Sequence, residues 1–276
     1  MMFFNFLRRC FKLRPAYVSG YFYPLRESDL LKFMSEVILD VPKRKVKGAV
    51  VPHAGYNFSG SIAGKVYSSI ECPDTFLLVG PKHSMESDGI FLSQTSWATP
   101  LGEVMPDRDL GESLLHHCEF IHLNERVHAN EHSLEVQVPF IKYVCPKSKI
   151  LPIAVSTTSE GILSSTGKCI ASVLKESNKS VVVVMSSDLN HHEPQEITME
   201  KDEKVIKNLM SLDPRGLLRT VYEEDVSMCG AWSCFLGLTI LKELGATKVE
   251  LLEHRTSGDV NMDYTQVVGY TGILFE

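Results

Sequence analysis

Short apolar runs alternate with segments of helical spacing along most of this chain. The clearest run holds four consecutive valines, residues 181–184, a pattern typical of a strand buried on both faces of a sheet. Strands are predicted at residues 45–52, 75–80, 89–92, 149–155, 180–186, 248–254 and 266–275, and a loop or hairpin at 97–104. Helices are predicted at residues 28–37, 59–70, 107–117, 131–143, 159–176, 200–209, 214–222 and 231–244. This alternation predicts one α/β domain with a largely parallel or mixed central sheet.

Three of the predicted strands end in residues that can bind a metal ion. The first core strand is followed by His53, the second by His83, and the valine-rich strand by Asp188 and His191. In an open α/β sheet, ligands bind in the crevice outside the carboxyl ends of the strands. Because imidazole is the commonest metal-ligating side chain, one metal pocket is predicted at this edge. The alternative is that each histidine is a hydrogen-bonded structural residue.

Cys229 is the third candidate ligand and lies just before the predicted helix 231–244. The positive end of a helix dipole is expected to lower the pKa of this thiol and favour the thiolate. The alternative is a small buried apolar residue, which is the role assigned to Cys234. Two imidazoles and a thiolate make a three-ligand site with an open position, which suits copper, iron or zinc.

Asp188 and His191 are candidate catalytic residues. The carboxylate of Asp188 is expected either to orient the His191 ring for acid–base work or to cap a helix, which would leave His191 exposed. His192 competes for any role given to His191.

Glu131 begins a predicted helix on which His132 and Glu135 share one face. This face is expected either to reach the pocket or to be only an acidic helix start. Four histidines without such a context are predicted to lie at the surface: His116, His117, His122 and His128.

Composition and charge narrow the class of protein. A net charge of −6, with lysine and arginine scattered, gives no reason to expect nucleic acid or an anionic membrane as a partner. No apolar run approaches the roughly 20 residues of a membrane-spanning helix. Seven cysteines without a CxxC motif argue against a disulfide framework and for a reducing compartment, which predicts a cytoplasmic protein. Residues 1–13 are predicted to form an N-terminal arm, or alternatively a targeting or membrane-surface segment.

Six motifs in order resemble the Memo-like protein family: RPAYVSGYFYP, VPHAGYNFSG, GPKHS, EHSLEVQVPF, SSDLNHH and MCG. The resemblance covers residues 14–276. It implies a three-layer α/β sandwich like that of class III extradiol dioxygenases, with a metal bound at His53, His83 and Cys229. It also implies that Asp188 and His191 share the pocket, to which His132 and Tyr56 are added as candidates.

The family resemblance implies two classes of function. One is copper- or iron-dependent redox chemistry at an altered dioxygenase-like site, with zinc as a third option. Dioxygenases have a glutamate where this chain has Cys229, so dioxygenase activity itself is not expected. The other is a signalling adaptor that binds peptides in the same pocket, as described for animal members. The expected partners are a small-molecule substrate or a peptide, and microbial relatives suggest a pathway shared with a radical SAM enzyme.

Overall fold

The computed structural model describes residues 13–83 and 88–276. The strands are β1 (Gly48–Val51), β2 (Thr75–Pro81), β3 (Ile90–Leu92), β4 (Trp97–Thr99), β5 (Gly102–Val104), β6 (Ile121–Leu123), β7 (Lys149–Val155), β8 (Val181–Ser186), β9 (His191–Glu193), β10 (Val249–Thr256) and β11 (Val267–Phe275). The helices are α1 (Glu27–Val37), α2 (Tyr56–Ser69), α3 (Arg108–His117), α4 (Glu125–His128), α5 (Val138–Val144), α6 (Glu160–Glu176), α7 (Gln195–Met210), α8 (Pro214–Glu223), α9 (Ala231–Glu243) and α10 (Gly258–Asn261).

One nine-stranded sheet forms the centre of the fold, in the order β10-β11-β1-β8-β2-β7-β3-β6, with β9 paired to β11. The strands β1, β8, β2 and β7 are parallel neighbours, whereas β11 runs antiparallel to β1, and β10 runs antiparallel to β11. The first three of these, in the middle of the sheet, are the strands predicted to carry the site. Their carboxyl ends therefore lie side by side.

Two apolar layers cover the sheet because side chains alternate between its faces. Leu77 and Val79 of β2 join the core formed with helices α3, α6, α7, α8 and α9. Phe76 and Leu78 of the same strand join the opposite core, formed with α1, α2 and α5. The predicted three-layer α/β sandwich with a mixed sheet is thus confirmed.

The predicted helix 131–143 is wrong at its start. Residues 131–134 form a turn, a short 3₁₀ helix covers Glu135–Gln137, and α5 follows from Val138. The turn packs closely on β2, since a Cβ atom at Gly80 would lie 2.6 Å from a methyl group of Leu134. Residues 97–104 form the hairpin β4–β5, and the short strands β6 and β9 were not predicted.

The structure also corrects the prediction against disulfides. Cys72 is bonded to Cys145 and Cys118 to Cys169, with Cα–Cα distances of 5.4 and 5.7 Å. The partners are 73 and 51 residues apart in sequence, so their proximity depends on the tertiary fold and leaves no local signal. The cytoplasmic location remains a prediction, but cysteine usage no longer supports it.

Removing the Cys118–Cys169 bond is expected to lower the free energy of unfolding by about 2–4 kcal/mol, because the bond restricts the unfolded chain. The measurement is urea unfolding of the Cys118→Ala/Cys169→Ala protein beside wild type, both without reductant. Reductant should lower the midpoint of wild type as well. An unchanged midpoint in the double variant would contradict the prediction.

No helix in the described part of the chain is long and apolar enough to cross a membrane. The predicted N-terminal arm falls almost wholly outside the described residues, which begin at the exposed Leu13.

Candidate metal centre

The ends of β1, β8 and β2 bring the candidate ligands together. His53 follows β1, Asp188 follows β8 and His83 follows β2. Asp188 ties two of these ends, since its Oδ1 accepts the backbone amide of His53 at 2.7 Å and that of Ala54 at 3.3 Å. The helix α9 packs on β8 and β2 and places Cys229, two residues before its first turn, over the same edge.

His53, His83 and Cys229 converge as predicted. One ligand atom from each lies within 4.8 Å of the ligand atoms of the other two. The Sγ of Cys229 is 3.1 Å from Nε2 of His53, and the rings of His53 and His83 meet edge to face at 5.3 Å. His53 is buried, Cys229 is half-buried and His83 is exposed at 36% of its side chain, so the group is reached from one side.

His53 is held from behind by a buried polar chain. Its Nδ1 lies 3.1 Å from Oγ of Ser186, the last residue of β8. Ser186 also accepts a hydrogen bond from Nε2 of Gln137 and donates one to the backbone carbonyl of Ser133. Burial and the neighbouring histidines lower the pKa of His53, so its ring is neutral near pH 7.

His83 is held by Glu131, which makes two hydrogen bonds to it. Oε1 lies 2.8 Å from the ring Nδ1, and Oε2 accepts the backbone amide at 2.7 Å. The amide of Ser133 also donates to Oε1 at 2.8 Å. Burial alone would raise the pKa of Glu131, but these hydrogen-bond donors outweigh it and lower the pKa far below the usual range.

His132 also reaches the pocket, although the predicted reason was wrong. Its ring stacks on His83 at 4.3 Å, lies edge-on to His53 at 5.5 Å and is covered by Phe22 at 4.6 Å. Burial lowers its pKa to about 4. Because residues 131–134 form a turn, Glu135 does not share its face and instead bonds Arg14 and Tyr23 in the core.

In the described part of the chain, no hydrogen bond joins the Asp188 carboxylate to the His191 ring, so the predicted orienting contact is not seen. Asp188 bonds backbone amides, and burial raises its pKa to about 7. The alternative of a helix cap is wrong, since β9 begins at His191, whose amide donates to Oγ of Ser227. Burial lowers the pKa of His191, with a smaller contribution from His192, and its buried Nδ1 has no hydrogen-bond partner among the described residues.

The expected low pKa of Cys229 is wrong. Burial, with a smaller contribution from the nearby carboxylate of Asp188, raises the pKa of the thiol well above its usual value. The helix dipole is too weak an influence to offset the loss of hydration at this position. A neutral thiol facing a neutral imidazole is the resulting arrangement in the absence of a metal ion.

The structure gives the surroundings of three further residues named in the sequence analysis. Tyr56 is buried between Phe33 and Phe140, and its hydroxyl donates to the carbonyl of Val136. His128, predicted at the surface, is fully buried and has its pKa lowered to about 3 by burial. Cys234 is a core residue, as predicted.

Comparisons with known proteins identify the family of this chain. The sequence model of the Memo-like protein family matches residues 14–274. The chain belongs to the Memo-like family. A MEMO1 family protein of Methanosarcina barkeri is 37% identical over 267 residues, covering 96% of this chain and all of the relative. One from Methanococcoides burtonii is 38% identical over 265 residues, covering 95% and 99%.

This Memo-like chain also resembles a solved structure at the level of the fold. The crystal structure of an uncharacterised protein from Escherichia coli K12 superposes with a TM-score of 0.56 at 12% identity, covering 84% of this chain and all of that chain. At such low identity the match shows a shared fold alone.

Proposed function

We propose that this Memo-like protein binds copper or iron through His53, His83 and Cys229 and uses it in redox chemistry on a small substrate. The observation that supports the proposal is the convergence of two imidazoles and one thiol at the carboxyl edge of the sheet. Three protein ligands leave a coordination position for another molecule, which is the pattern of a working site and not of a closed structural one.

The donor atoms fit such a metal ion. Both histidines present nitrogen ligands and Cys229 presents sulfur, a mixed set that suits copper, iron or zinc. When bound, copper or iron would supply one-electron chemistry at the edge of the sheet. Thiolate ligation suits reduced copper and zinc alike, but zinc has no redox chemistry, so we propose copper or iron for the redox function.

The surrounding residues suggest how a substrate would be handled. Asp188, with a pKa raised to about 7, is able to give or take a proton near neutral pH. His191, whose buried Nδ1 has no partner in the described structure, is the second candidate for proton transfer. His132 flanks His83 and would contact a molecule that approaches from the exposed side.

The test is metal binding followed by turnover. Protein purified without added metal should contain copper or iron, or take up one equivalent of Cu(I) or Fe(II), and His83→Ala should lose this binding. Loaded wild type should oxidise a reductant and consume oxygen faster than the His83→Ala protein. Equal metal content and equal oxygen consumption in the two proteins would refute the proposal.

The pH dependence of the same titration checks the role of Cys229. Because its thiol is neutral at pH 7 in the metal-free protein, metal binding must release the proton. Affinity should therefore rise by about tenfold per pH unit between pH 6 and 8 for one released proton. A flat profile over that range would mean that the sulfur is not a ligand.

A second candidate function is favoured by one surface feature. Aromatic and aliphatic side chains of the segment before α1 are exposed beside Phe22, which covers His132: Tyr17 at 56%, Tyr21 at 88% and Leu25 at 66%. An exposed apolar patch at the edge of a pocket is typical of a binding surface. A peptide-binding adaptor would retain partner binding in the His83→Ala protein, whereas metal chemistry would be lost.

A further inference from the structure

The two histidines of the metal centre share a feature that sequence spacing does not show. Each ring has its Nδ1 hydrogen-bonded to a buried side chain, Ser186 for His53 and Glu131 for His83. If both partners are acceptors, both rings carry their proton on Nδ1 and keep the Nε2 lone pair for the metal ion.

The role of Ser186 is fixed by its other hydrogen bonds. The carbonyls of Pro52 and Ser133 can only accept. Because Nε2 of Gln137 lies 2.9 Å from the Pro52 carbonyl, that atom must be the amino group, and it therefore also donates to Ser186. The one hydroxyl proton of Ser186 goes to the Ser133 carbonyl at 2.7 Å. Ser186 has no proton left for His53, so the ring must donate from Nδ1.

The orientation of Gln137 is supported from its other end. Its Oε1 accepts a hydrogen bond from the hydroxyl of the buried Tyr67 at 3.0 Å. The chain of donors thus runs from Tyr67 through Gln137 and Ser186 to the Ser133 carbonyl, with every proton assigned. All four of these residues are buried, so water does not compete for these groups.

The role of Glu131 follows in the same way. Three groups form hydrogen bonds to its carboxylate, and two of them, the amides of His83 and Ser133, can only donate. The third is Nδ1 of His83, and because an ionised carboxylate can only accept, this nitrogen must donate as well. Nδ1 of His132 is farther away, at 3.6 Å from Oε1. Ser133 joins the two halves, because its amide bonds Glu131 and its carbonyl bonds Ser186.

We propose that Glu131 and Ser186 are positioning residues that hold His83 and His53 in the Nδ1–H form and aim both Nε2 atoms at one metal ion. This inference rests on the proposed metal-binding function, but its first half concerns the metal-free protein alone. Carboxylate and hydroxyl partners behind ligating imidazoles fix the tautomer and make the ligand more basic. The charged partner of His83 is expected to have the larger effect, since hydrogen bonds to ionised groups are roughly twice as strong as neutral ones.

The same geometry argues against a separate cation site at Glu131. Glu131, His83 and His132 also offer ligand atoms within 4.8 Å of one another. However, the oxygens of Glu131 already accept from the two amides and the His83 ring. A cation there would have to displace these donors, so we assign the carboxylate to orientation.

The first arm of the experiment measures tautomers in the metal-free protein. Long-range proton–nitrogen NMR correlations of the histidine rings, assigned with His53→Gln and His83→Gln, should show the Nδ1–H form for both residues in wild type. Glu131→Ala should release His83 from this form and leave His53 unchanged. Ser186→Ala should do the reverse, so each variant is the control for the other. A wild-type His83 or His53 in the Nε2–H form would overturn the proposal.

The second arm measures affinity for Cu(I) by competition with a chromophoric chelator. Glu131→Ala should weaken binding by about 10- to 100-fold, the range found for outer partners of ligating histidines. Glu131→Gln, which keeps one acceptor and the side-chain volume, should fall between Glu131→Ala and wild type. Ser186→Ala should weaken binding less than Glu131→Ala does.

Asp107→Asn is the matched control for folding. Asp107 is a buried carboxylate, but it bonds Thr75, Leu110 and Lys179 and none of the residues of the metal centre. The Asp107→Asn protein should be less stable than wild type and keep both tautomers and the Cu(I) affinity unchanged. If the tautomers respond but affinity does not, the positioning role is refuted. If wild type binds no metal while the tautomers behave as stated, the metal function alone fails.

Discussion

Replacing Glu135 by alanine is expected to lower the free energy of unfolding by about 3–5 kcal/mol, the cost typical of breaking a buried ion pair on one side. Its carboxylate lies 2.7 Å from the guanidinium of Arg14, with side-chain exposures of 1% and 4%. It also accepts hydrogen bonds from the amide of Val18 and the hydroxyl of Tyr23. Alanine would leave a buried cation and several buried donors without this acceptor.

The loss should also loosen the turn that carries Glu131. Arg14 donates to the backbone carbonyls of His128 and Glu131, and its guanidinium lies 4.1 Å above the Trp97 ring. The N-terminal segment thus braces the loop that holds His83. Metal affinity in Glu135→Ala is therefore expected to fall as stability falls.

Urea unfolding followed by far-ultraviolet circular dichroism measures the effect. Glu200→Ala is the matched control, because Glu200 pairs with Lys204 on an exposed helix face and surface pairs contribute only about 0–1 kcal/mol. A loss in Glu135→Ala no larger than that in Glu200→Ala would show that the buried pair does not stabilise the fold.

The strand ends were predictable because the pattern was local. A valine-rich run followed by Asp188, and two other apolar runs followed by histidines, identify parallel strands whose carboxyl ends share an edge. The structure places β1, β8 and β2 next to each other, which is the arrangement that this prediction needed. The family motifs then added Cys229.

The side chains that hydrogen-bond the ligands were not predictable, because they come from parts of the chain distant from the ligands. Glu131 bonds His83 from 48 residues away, and the helical spacing of apolar residues after Glu131 hid the turn that aims its carboxylate. Ser186 was predicted only as the end of a strand. Its importance depends on Gln137, which comes from a different element, so no local pattern marks the pair.

The sequence also did not reveal how deeply individual residues are buried. The position of Cys229 before α9 predicted a lowered pKa, but the surrounding core raises it instead. His128 lacked any motif and is nonetheless fully buried. Both errors arise because desolvation depends on the layers packed around a residue and not on its neighbours in the chain.

Replacing Cys229 by serine is expected to lower the affinity for Cu(I) by more than about 100-fold, beyond the range for outer partners of a ligand. Sulfur is the soft donor that selects Cu(I), and a serine hydroxyl is a poor substitute. Cys229→Asp should bind Cu(I) as weakly but keep Fe(II) affinity within about tenfold of wild type, because two histidines and one carboxylate form the facial set of non-haem iron sites. Chelator competition with each ion, without oxygen, measures both affinities.

Comparing the two losses shows how far Cu(I) affinity depends on the sulfur and how far a carboxylate replaces it for Fe(II). Cys234→Ser is the matched control, since Cys234 is the other free cysteine of the described chain, is fully buried and does not belong to the ligand group. It should change stability and leave both affinities unchanged. Should Cys229→Ser retain Cu(I) affinity, the sulfur would not be a ligand, and the two imidazoles would have to bind the ion with a donor other than Cys229. A loss of Fe(II) affinity in Cys229→Asp as large as that of Cu(I) would instead mean that the pocket is shaped around sulfur, with no room for a carboxylate.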